Sequence, residues 1–397
     1  MVCNSAVVYP SVTTKAWIPA STSARLEQLV RVRPGITRQE AATRLGLSTS
    51  AVTTAVARLV GSDRLVETGP AEGTRGRGRP RGSLSVTSPA STVGVLLYSY
   101  GVFELAVLGY DGTTRARQRR EVPGLLSVDD VVAAARGLLA RSAGWQRPDL
   151  LVFGIPSPFH RDVGLPPRPP GSDTDRRSFA NVFTGDPFEA LAEAVDAEVL
   201  WENDANLAAL GECSQQSETE RCALYVKVGG EGIGAGLCID GRIMSGGHGL
   251  GAEIAHLRTD DDPQAICSCG SRGCLDVSTG PRLMRQLADA YDRELTWAEW
   301  LVLVETGAAG PVRVMQDVGR QIARTIGNVC TFLDPSSIIL EAGSAASTAA
   351  LAEGFADQLG QQTPPFIHSV TQIRHGNLGD RAELLGAVEV ARQHIGP

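Results

Sequence analysis

The stretch HLRTDDDPQAICSCGSRGC, residues 256–274, gathers a histidine and three of the chain's 8 cysteines into one short hydrophilic segment. The other cysteines are scattered singly. His256, Cys267, Cys269 and Cys274 follow a His-x10-Cys-x-Cys-x4-Cys spacing. One imidazole and three thiolates suit a tetrahedral Zn²⁺, and four protein ligands leave no position open for a catalytic water, so the spacing predicts a structural metal. Gly270 and Gly273 let the chain turn tightly around it. The alternative reading is a surface loop carrying free thiols.

The 397 residues are 43% apolar and 20% charged, an ordinary globular composition with length for two or three domains. No apolar run is long enough to cross a bilayer, which argues against a membrane partner. The opening MVCNSAVVYPSVTTKAWIPA lacks the basic start and unbroken apolar segment of a signal peptide. A cytoplasmic location is therefore expected, where clustered Cys and His point to metal rather than disulfides. The net charge of −7 hides an asymmetry: residues 1–86 hold 12 Lys+Arg and 5 Asp+Glu, and the remainder holds 25 and 39. A basic segment ahead of an acidic body predicts a module for a polyanion.

Residues 1–20 show no periodicity and read as a flexible tail. Three helical patterns follow. SARLEQLVRV places Leu26, Leu29 and Val30 on one face. TRQEAATRLG opens with Thr37 and Glu40 in a capping-box spacing and stops at Gly46. LSTSAVTTAVARLV has Ser48 as N-cap and Val52, Val56 and Leu59 facing inward. Two helices joined by LGLS form a helix-turn-helix pattern, and DRLVETGPAEGTRGRGRPRGSLSV reads as a two-stranded wing with an Arg/Gly-rich turn. Residues 21–86 are thus expected to be a winged helix-turn-helix that binds double-stranded DNA; a small helical dimerisation or linker module is the plainer alternative. Ser48 would cap the recognition helix, whose Thr49, Ser50, Thr53 and Thr54 would face the major groove. Arg38 and Arg58 would hold phosphates, and Arg77 and Arg79 in the wing would enter the minor groove.

From residue 87 onward strands alternate with helices, which predicts an α/β body over residues 87–397. TVGVLLYSYGVFELAVLGYDG holds two strands, DLLVFGIPSP and AEVLWEND one each, and ALYVKVGGEGIGAGLCIDGRI a strand, a glycine loop and a second strand. Helices are expected around residues 281–291, 310–333 and 382–393, with a strand at residues 337–341.

Several pieces resemble one family, named for repressors, open reading frames and kinases (ROK). GGHGLGAEIAHL followed by CSCGSRGCLD resembles its zinc motif, WENDANLAALGE its sugar-site motif, and GIGAGLCIDGRI the adjacent glycine loop. The helix-turn-helix followed by GRGRP is similar to the repressor branch. The resemblance spans residues 21–395. It implies an actin-like, sugar-kinase-like two-lobed body behind a winged helix-turn-helix, acting as homodimers or higher oligomers.

The resemblance also implies site residues. Asn203 and Asp204 would give an amide and a carboxylate to sugar hydroxyls, Glu253 a second carboxylate, and His256 would line the pocket while binding the metal. Asp276 stands where the family has Glu and reaches one methylene less far. Taken alone, NDAN also reads as a helix N-terminal turn.

The family includes sugar kinases, in which Asp204 would be the general base. There the first hairpin carries Asp-x-Gly-x-Thr; here Leu96, Tyr98 and Tyr100 occupy those positions, Glu231 adds charge to the second loop, and Glu341–Ala342 replaces a diglycine. These departures predict a DNA-binding regulator, in the manner of a repressor, that senses a sugar or related small molecule and is not an enzyme. A sugar kinase of the same family is the alternative.

Overall fold

The computed structural model describes residues 22–33, 35–61, 65–68, 82–86, 92–99, 102–122, 126–141, 148, 150–158, 183–184, 187–195, 197–215, 221–230, 232–259 and 262–395. The expected tail at residues 1–20, the wing turn with Arg77 and Arg79, and Tyr100 and Glu231 lie outside the described residues.

The described residues begin with α1 (Thr22–Val32), β1 (Ile36–Thr37), α2 (Arg38–Leu45), α3 (Thr49–Gly61), β2 (Leu65–Thr68) and β3 (Ser83–Val86). The expected capping box forms: the Glu40 N–H donates to Thr37 Oγ1, and the Thr37 N–H donates to the Glu40 carboxylate at 2.9 Å. Gly46 ends α2 in the left-handed region at φ 62°. Ser48 Oγ accepts from the Ala51 N–H at 3.2 Å and so caps α3. Leu26, Leu29 and Val30 meet Leu45, Val52, Val56 and Leu59, and Leu65 and Leu84 close this core from the strands. β3 lies between β1 and β2 and is antiparallel to both. β1 was not expected, because two residues carry no readable period.

Next come β4 (Thr92–Ser99), β5 (Val102–Gly109), β6 (Thr114–Glu121), β7 (Leu126–Ser127), α4 (Val128–Arg141), β8 (Leu150–Ile155), β9 (Phe183–Thr184), α5 (Pro187–Ala194), β10 (Glu198–Asn203) and α6 (Asp204–Ser214). They are followed by β11 (Cys222–Gly229), β12 (Gly232–Ile239), β13 (Arg242–Ile243), α7 (Leu275–Ser278), α8 (Gly280–Tyr291), α9 (Trp297–Glu305) and α10 (Ala309–Leu333). The chain ends with β14 (Ser337–Glu341), α11 (Ala345–Gln362), α12 (Pro365–His368), β15 (Gln372–His375) and α13 (Ala382–Ile395).

Among the described residues these strands build two mixed five-stranded sheets, β10-β8-β4-β5-β6 and β13-β12-β11-β14-β15, with β7 and β9 paired separately. Each sheet has a parallel side (β4-β8-β10; β11-β14-β15) and an antiparallel side. β6, TRARQRRE, is exposed along its whole length and escaped the sequence reading because it carries no apolar alternation. Arginines on an edge strand discourage pairing with another chain. Among the described residues, no helix is long and apolar enough to cross a membrane.

α6 and α13 fill the space between the sheets. Leu207 packs with Val93, Val95, Leu97 and Val152 of the first sheet and with Leu384, Ala387 and Val388 of α13. Ala208 and Ala209, on the other side of α6, pack with Ala223, Tyr225 and Ile339 of the second sheet. The two helices approach backbone to backbone: a Cβ on Gly386 would run into the Leu207 carbonyl, and one on Gly211 into that of Ala382. At its far end α13 carries Arg392, which donates to the Tyr110 carbonyl; the Tyr110 side chain packs on both the N-terminal core and the α13 core.

Gly386→Ala should therefore force α6 and α13 apart and cost about 2–4 kcal/mol of stability. Chemical or thermal unfolding of the variant checks this; wild-type stability would refute the close-contact argument.

Candidate ligand and metal site

β10 ends where α6 begins, and this junction sets the first group of site residues. Asn203 is the N-cap: its Oδ1 accepts from the Ala205 and Asn206 N–H groups at 2.9 and 3.1 Å, and its Nδ2 donates to the Ser157 carbonyl at 3.3 Å. The amide oxygen is thus committed to the helix, and only the second N–H of its NH2 group remains for a ligand. This is the helix-turn alternative for NDAN, and it narrows the sugar-binding role expected of Asn203.

Asp204, the next residue, is buried at 4% exposure. Its Oδ1 accepts from the Ala205 N–H at 2.9 Å and its Oδ2 from the Ser99 hydroxyl at 3.1 Å. Lys227 Nζ lies 3.6 Å from Oδ2 and 2.6 Å from Glu383 Oε1. Burial raises the Asp204 carboxyl above its ordinary range, and Lys227 pulls the other way. Sequence reasoning missed Ser99, Lys227 and Glu383. A signal for one existed: the chain has two lysines, and Lys227 is the one set inside the apolar strand ALYVKVG.

The second group comes from the loop after β13. Glu253 directly precedes a 3-10 helix, Ile254–His256, so it stands one tight turn before the histidine. Burial, followed by the charges of Asp204 and Asp276, pushes the Glu253 carboxyl up to about 8. Asp276 sits in the first turn of α7, where Oδ1 accepts from the Ile233 N–H at 3.3 Å. Its shorter side chain is thus tied to β12; burial raises it to about 6, opposed by that backbone bond. The fold brings both Asp204 and Asp276 into electrostatic range of Glu253.

His256, Cys267, Cys269 and Cys274 also converge, with ligand atoms all within 4.8 Å of one another. His256 Nδ1 is 3.6 Å from Cys267 Sγ, and Cys269 Sγ is 3.7 Å from Cys274 Sγ. Tetrahedral Zn²⁺ with bonds of about 2.3 Å to sulfur and 2.0–2.1 Å to nitrogen would set these separations at about 3.6 and 3.8 Å. The cluster therefore fits a metal ion. Backbone bonds shape it: Cys267 N–H to Ser271 O at 2.9 Å, Thr259 N–H to Gly273 O at 2.8 Å, and Leu275 N–H to Leu257 O at 2.8 Å. Gly273 has φ 69° and lies against Pro263, which leaves no room for a side chain. Burial raises the thiols of Cys267 and Cys274 and lowers the His256 imidazole, each toward its uncharged form; a bound metal would displace the thiol protons.

In the first sheet Leu96 and Tyr98 are buried, and the Tyr98 ring packs near Phe183 at 6.2 Å. In the N-terminal module, Ser48, Thr49, Ser50, Thr53, Thr54 and Arg58 are exposed on or beside α3. Arg38 is held by the Glu67 carboxylate, with Nε to Oε1 at 2.8 Å, so it would have to leave that partner to reach a phosphate.

Residues 181–394 match the ROK family. A glucokinase from Halalkalibacterium halodurans is 25% identical over 52% of this chain and 67% of its own length. An N-acetyl-D-glucosamine kinase from Salmonella paratyphi B is 27% identical over 71% of this chain and 95% of its own. The crystal structure of a ROK family transcriptional regulator, a homologue of the E. coli MLC protein, superposes with a TM-score of 0.69 at 19% identity, covering 93% of this chain and 95% of that one. At that identity the likeness concerns the fold, an α/β sugar-kinase-like body with mixed sheets. The kinase relatives overturn the expectation that the chain is not an enzyme. Leu96 and Tyr98 describe how the first hairpin packs, and do not decide whether phosphoryl transfer occurs.

The Glu253 shift gives a pH dependence. Below the ordinary value of 4.5 both folded and unfolded chains hold the proton; between 4.5 and about 8 only the folded chain does. The group's contribution to stability is therefore full at low pH and lost as pH rises through about 8. Glu253→Gln should flatten this part of the stability profile in thermal unfolding across that range, and an unchanged slope would contradict the assignment.

Proposed function

We propose that this chain, which belongs to the ROK family by its match over residues 181–394, is a DNA-binding transcriptional regulator that responds to a sugar or related small molecule. The carrying observation is the module of three helices and a three-stranded antiparallel sheet at the N-terminus. The likeness to the regulator structure extends over 93% of this chain, whereas the N-acetyl-D-glucosamine kinase is matched over 95% of its length by 71% of it. The chain thus extends beyond the length matched to that kinase, and its residues 1–86 hold the basic excess of the sequence.

In this reading residues 21–86 form a winged helix-turn-helix and residues 87–397 the sensing body. α3 is the recognition helix. Thr53 and Thr54 donate their hydroxyl protons to the carbonyls of Thr49 and Ser50 at 2.8 and 3.1 Å, leaving the oxygens as acceptors for base amino groups and the methyls for thymine. Arg58 holds phosphate, with Arg38 joining once released from Glu67. Arg77 and Arg79 in the wing reach the minor groove, a role supported by the sequence alone. A homodimer places two recognition helices on a palindromic operator.

Asp204, Glu253 and Asp276, with His256 and the remaining Asn203 N–H, form the effector pocket. Zn²⁺ on His256, Cys267, Cys269 and Cys274 is structural: four ligands saturate it, and it fixes the His256 ring at the pocket edge.

A second reading, sugar phosphorylation, is favoured by the kinase relatives and by the buried Asp204 at the start of α6. ATP- and Mg²⁺-dependent phosphorylation of D-glucose or N-acetyl-D-glucosamine that disappears in Asp204→Asn would establish it.

Two measurements test the regulator reading. Selection from a random duplex pool should yield a preferred operator. Arg58→Ala should then weaken binding to all sequences alike and lower the salt slope by about 1, while Thr53→Ala or Thr54→Ala should change preference within the half-site. A failure to retain any duplex would refute DNA binding. Elemental analysis should find one zinc per chain in the wild type and none in Cys269→Ser; a metal-free, stably folded wild type would refute the structural zinc.

A further inference from the structure

We propose that Lys227 is the positioning residue of the effector pocket: sharing its ammonium between Asp204 and Glu383, it holds Asp204 as a carboxylate that only accepts hydrogen bonds, so that a ligand must present a donor to it. This rests on the reading of the pocket as a sugar site.

The geometry begins in the middle of the second sheet. β11 lies between β12 and β14, and Lys227 is in register with Gly234 on one side and Glu341 on the other. Its side chain is 21% exposed, a costly setting for an ammonium unless it is paired. Two partners meet it, Glu383 from the first turn of α13 at 2.6 Å and Asp204 from the first turn of α6 at 3.6 Å. The gap between the sheets, where those helices touch through Gly211 and Gly386, allows one lysine to reach both.

The groups around Asp204 are complementary to an acceptor. Ser99 from β4 donates to Oδ2, the Ala205 N–H donates to Oδ1, and Lys227 adds its charge. The other ionisable groups facing this pair are Glu253 from the loop before the 3-10 helix, Glu383 from α13, Tyr225 on β11 and Glu341 on β14. Burial and Glu383 favour the protonated acid and Lys227 opposes them; among the described residues Lys227 is the one cation seen to act on Asp204. A neutral Asp204 could donate a hydrogen bond; a carboxylate cannot. The lysine thereby selects ligands with a hydroxyl or amide N–H at this point, the donors that a sugar or an N-acetylated sugar supplies.

A purely structural tether from β11 to α13 would hold the helix without setting the charge of Asp204. Carboxyl ¹³C NMR of aspartate-labelled protein separates the two roles, with Asp204→Asn assigning the resonance. In Lys227→Met, Asp204 should titrate at a pH about 1–3 higher than in the wild type, and Lys227→Arg should restore the wild-type midpoint. Glu383→Gln, which leaves the ammonium to Asp204 alone, should move the midpoint down and serves if Lys227→Met unfolds. Calorimetric titration with D-glucose and N-acetyl-D-glucosamine should show Lys227→Met losing affinity as pH falls and recovering it as pH rises. An unmoved Asp204 midpoint in Lys227→Met, an upward move in Glu383→Gln, or an affinity loss equal at every pH would overturn the proposal. If neither sugar binds the wild type, the sugar-site reading fails, while the Asp204 titration still decides the role of Lys227.

Discussion

The contact between α6 and α13 is the constraint on which the rest of the structure depends. Gly211 and Gly386 bring the two backbones together where no Cβ fits. The paired helices wedge between the sheets, with Leu207 facing one sheet and Ala208 and Ala209 the other. That wedge buries the first turn of α6, and so puts Asp204 out of water. It also carries the first turn of α13 to the same point, so that Glu383 reaches Lys227. At its other end α13 bonds to Tyr110, beside the N-terminal core. One helix therefore touches both the pocket residues and the module proposed to bind DNA. A ligand that changes the hold of Lys227 on Glu383 acts on the end of that helix. Such coupling requires the ligand to bind the two states of the module with different affinity.

The metal cluster and the proposed pocket adjoin in sequence: His256 follows Glu253 by three positions, and Asp276 follows Cys274 by two. Pinning Leu257 to Leu275 and Thr259 to Gly273 joins the two ends of the loop, and the four ligand side chains close it. Glu253 and Asp276 flank the backbone that the cluster organises, so a metal bound there would fix the edges of the proposed pocket before a ligand arrives.

The sequence revealed elements whose residues bear a local pattern. The capping box at Thr37 and Glu40, the stop at Gly46, the strand at Ser337–Glu341 and the helix Ala309–Leu333 are all found within a residue or so of where spacing put them. The four residues expected to bind a metal converge, as their spacing implied. What could not be read depends on distant contacts. β6 has no apolar face, and its strand character comes from pairing with β5. Lys227, Glu383 and Ser99 lie far apart in sequence and meet only through the packing of α6 and α13. Asn203 looked like a ligand residue and is first a helix cap. The expectation of no enzymatic activity came from three substituted loops and gave too little weight to the rest of the chain, which a sugar kinase matches at 27% identity over 95% of its own length.

The most direct test is DNA affinity measured with and without sugar, in the wild type and in Asp204→Ala. A selected operator duplex and titrated N-acetyl-D-glucosamine or D-glucose suffice. Sugar should change the wild-type affinity for DNA. Asp204→Ala should bind DNA as the wild type does without sugar and fail to respond when sugar is added. A wild type indifferent to both sugars, or an Asp204→Ala variant that responds at the same concentrations, would contradict it.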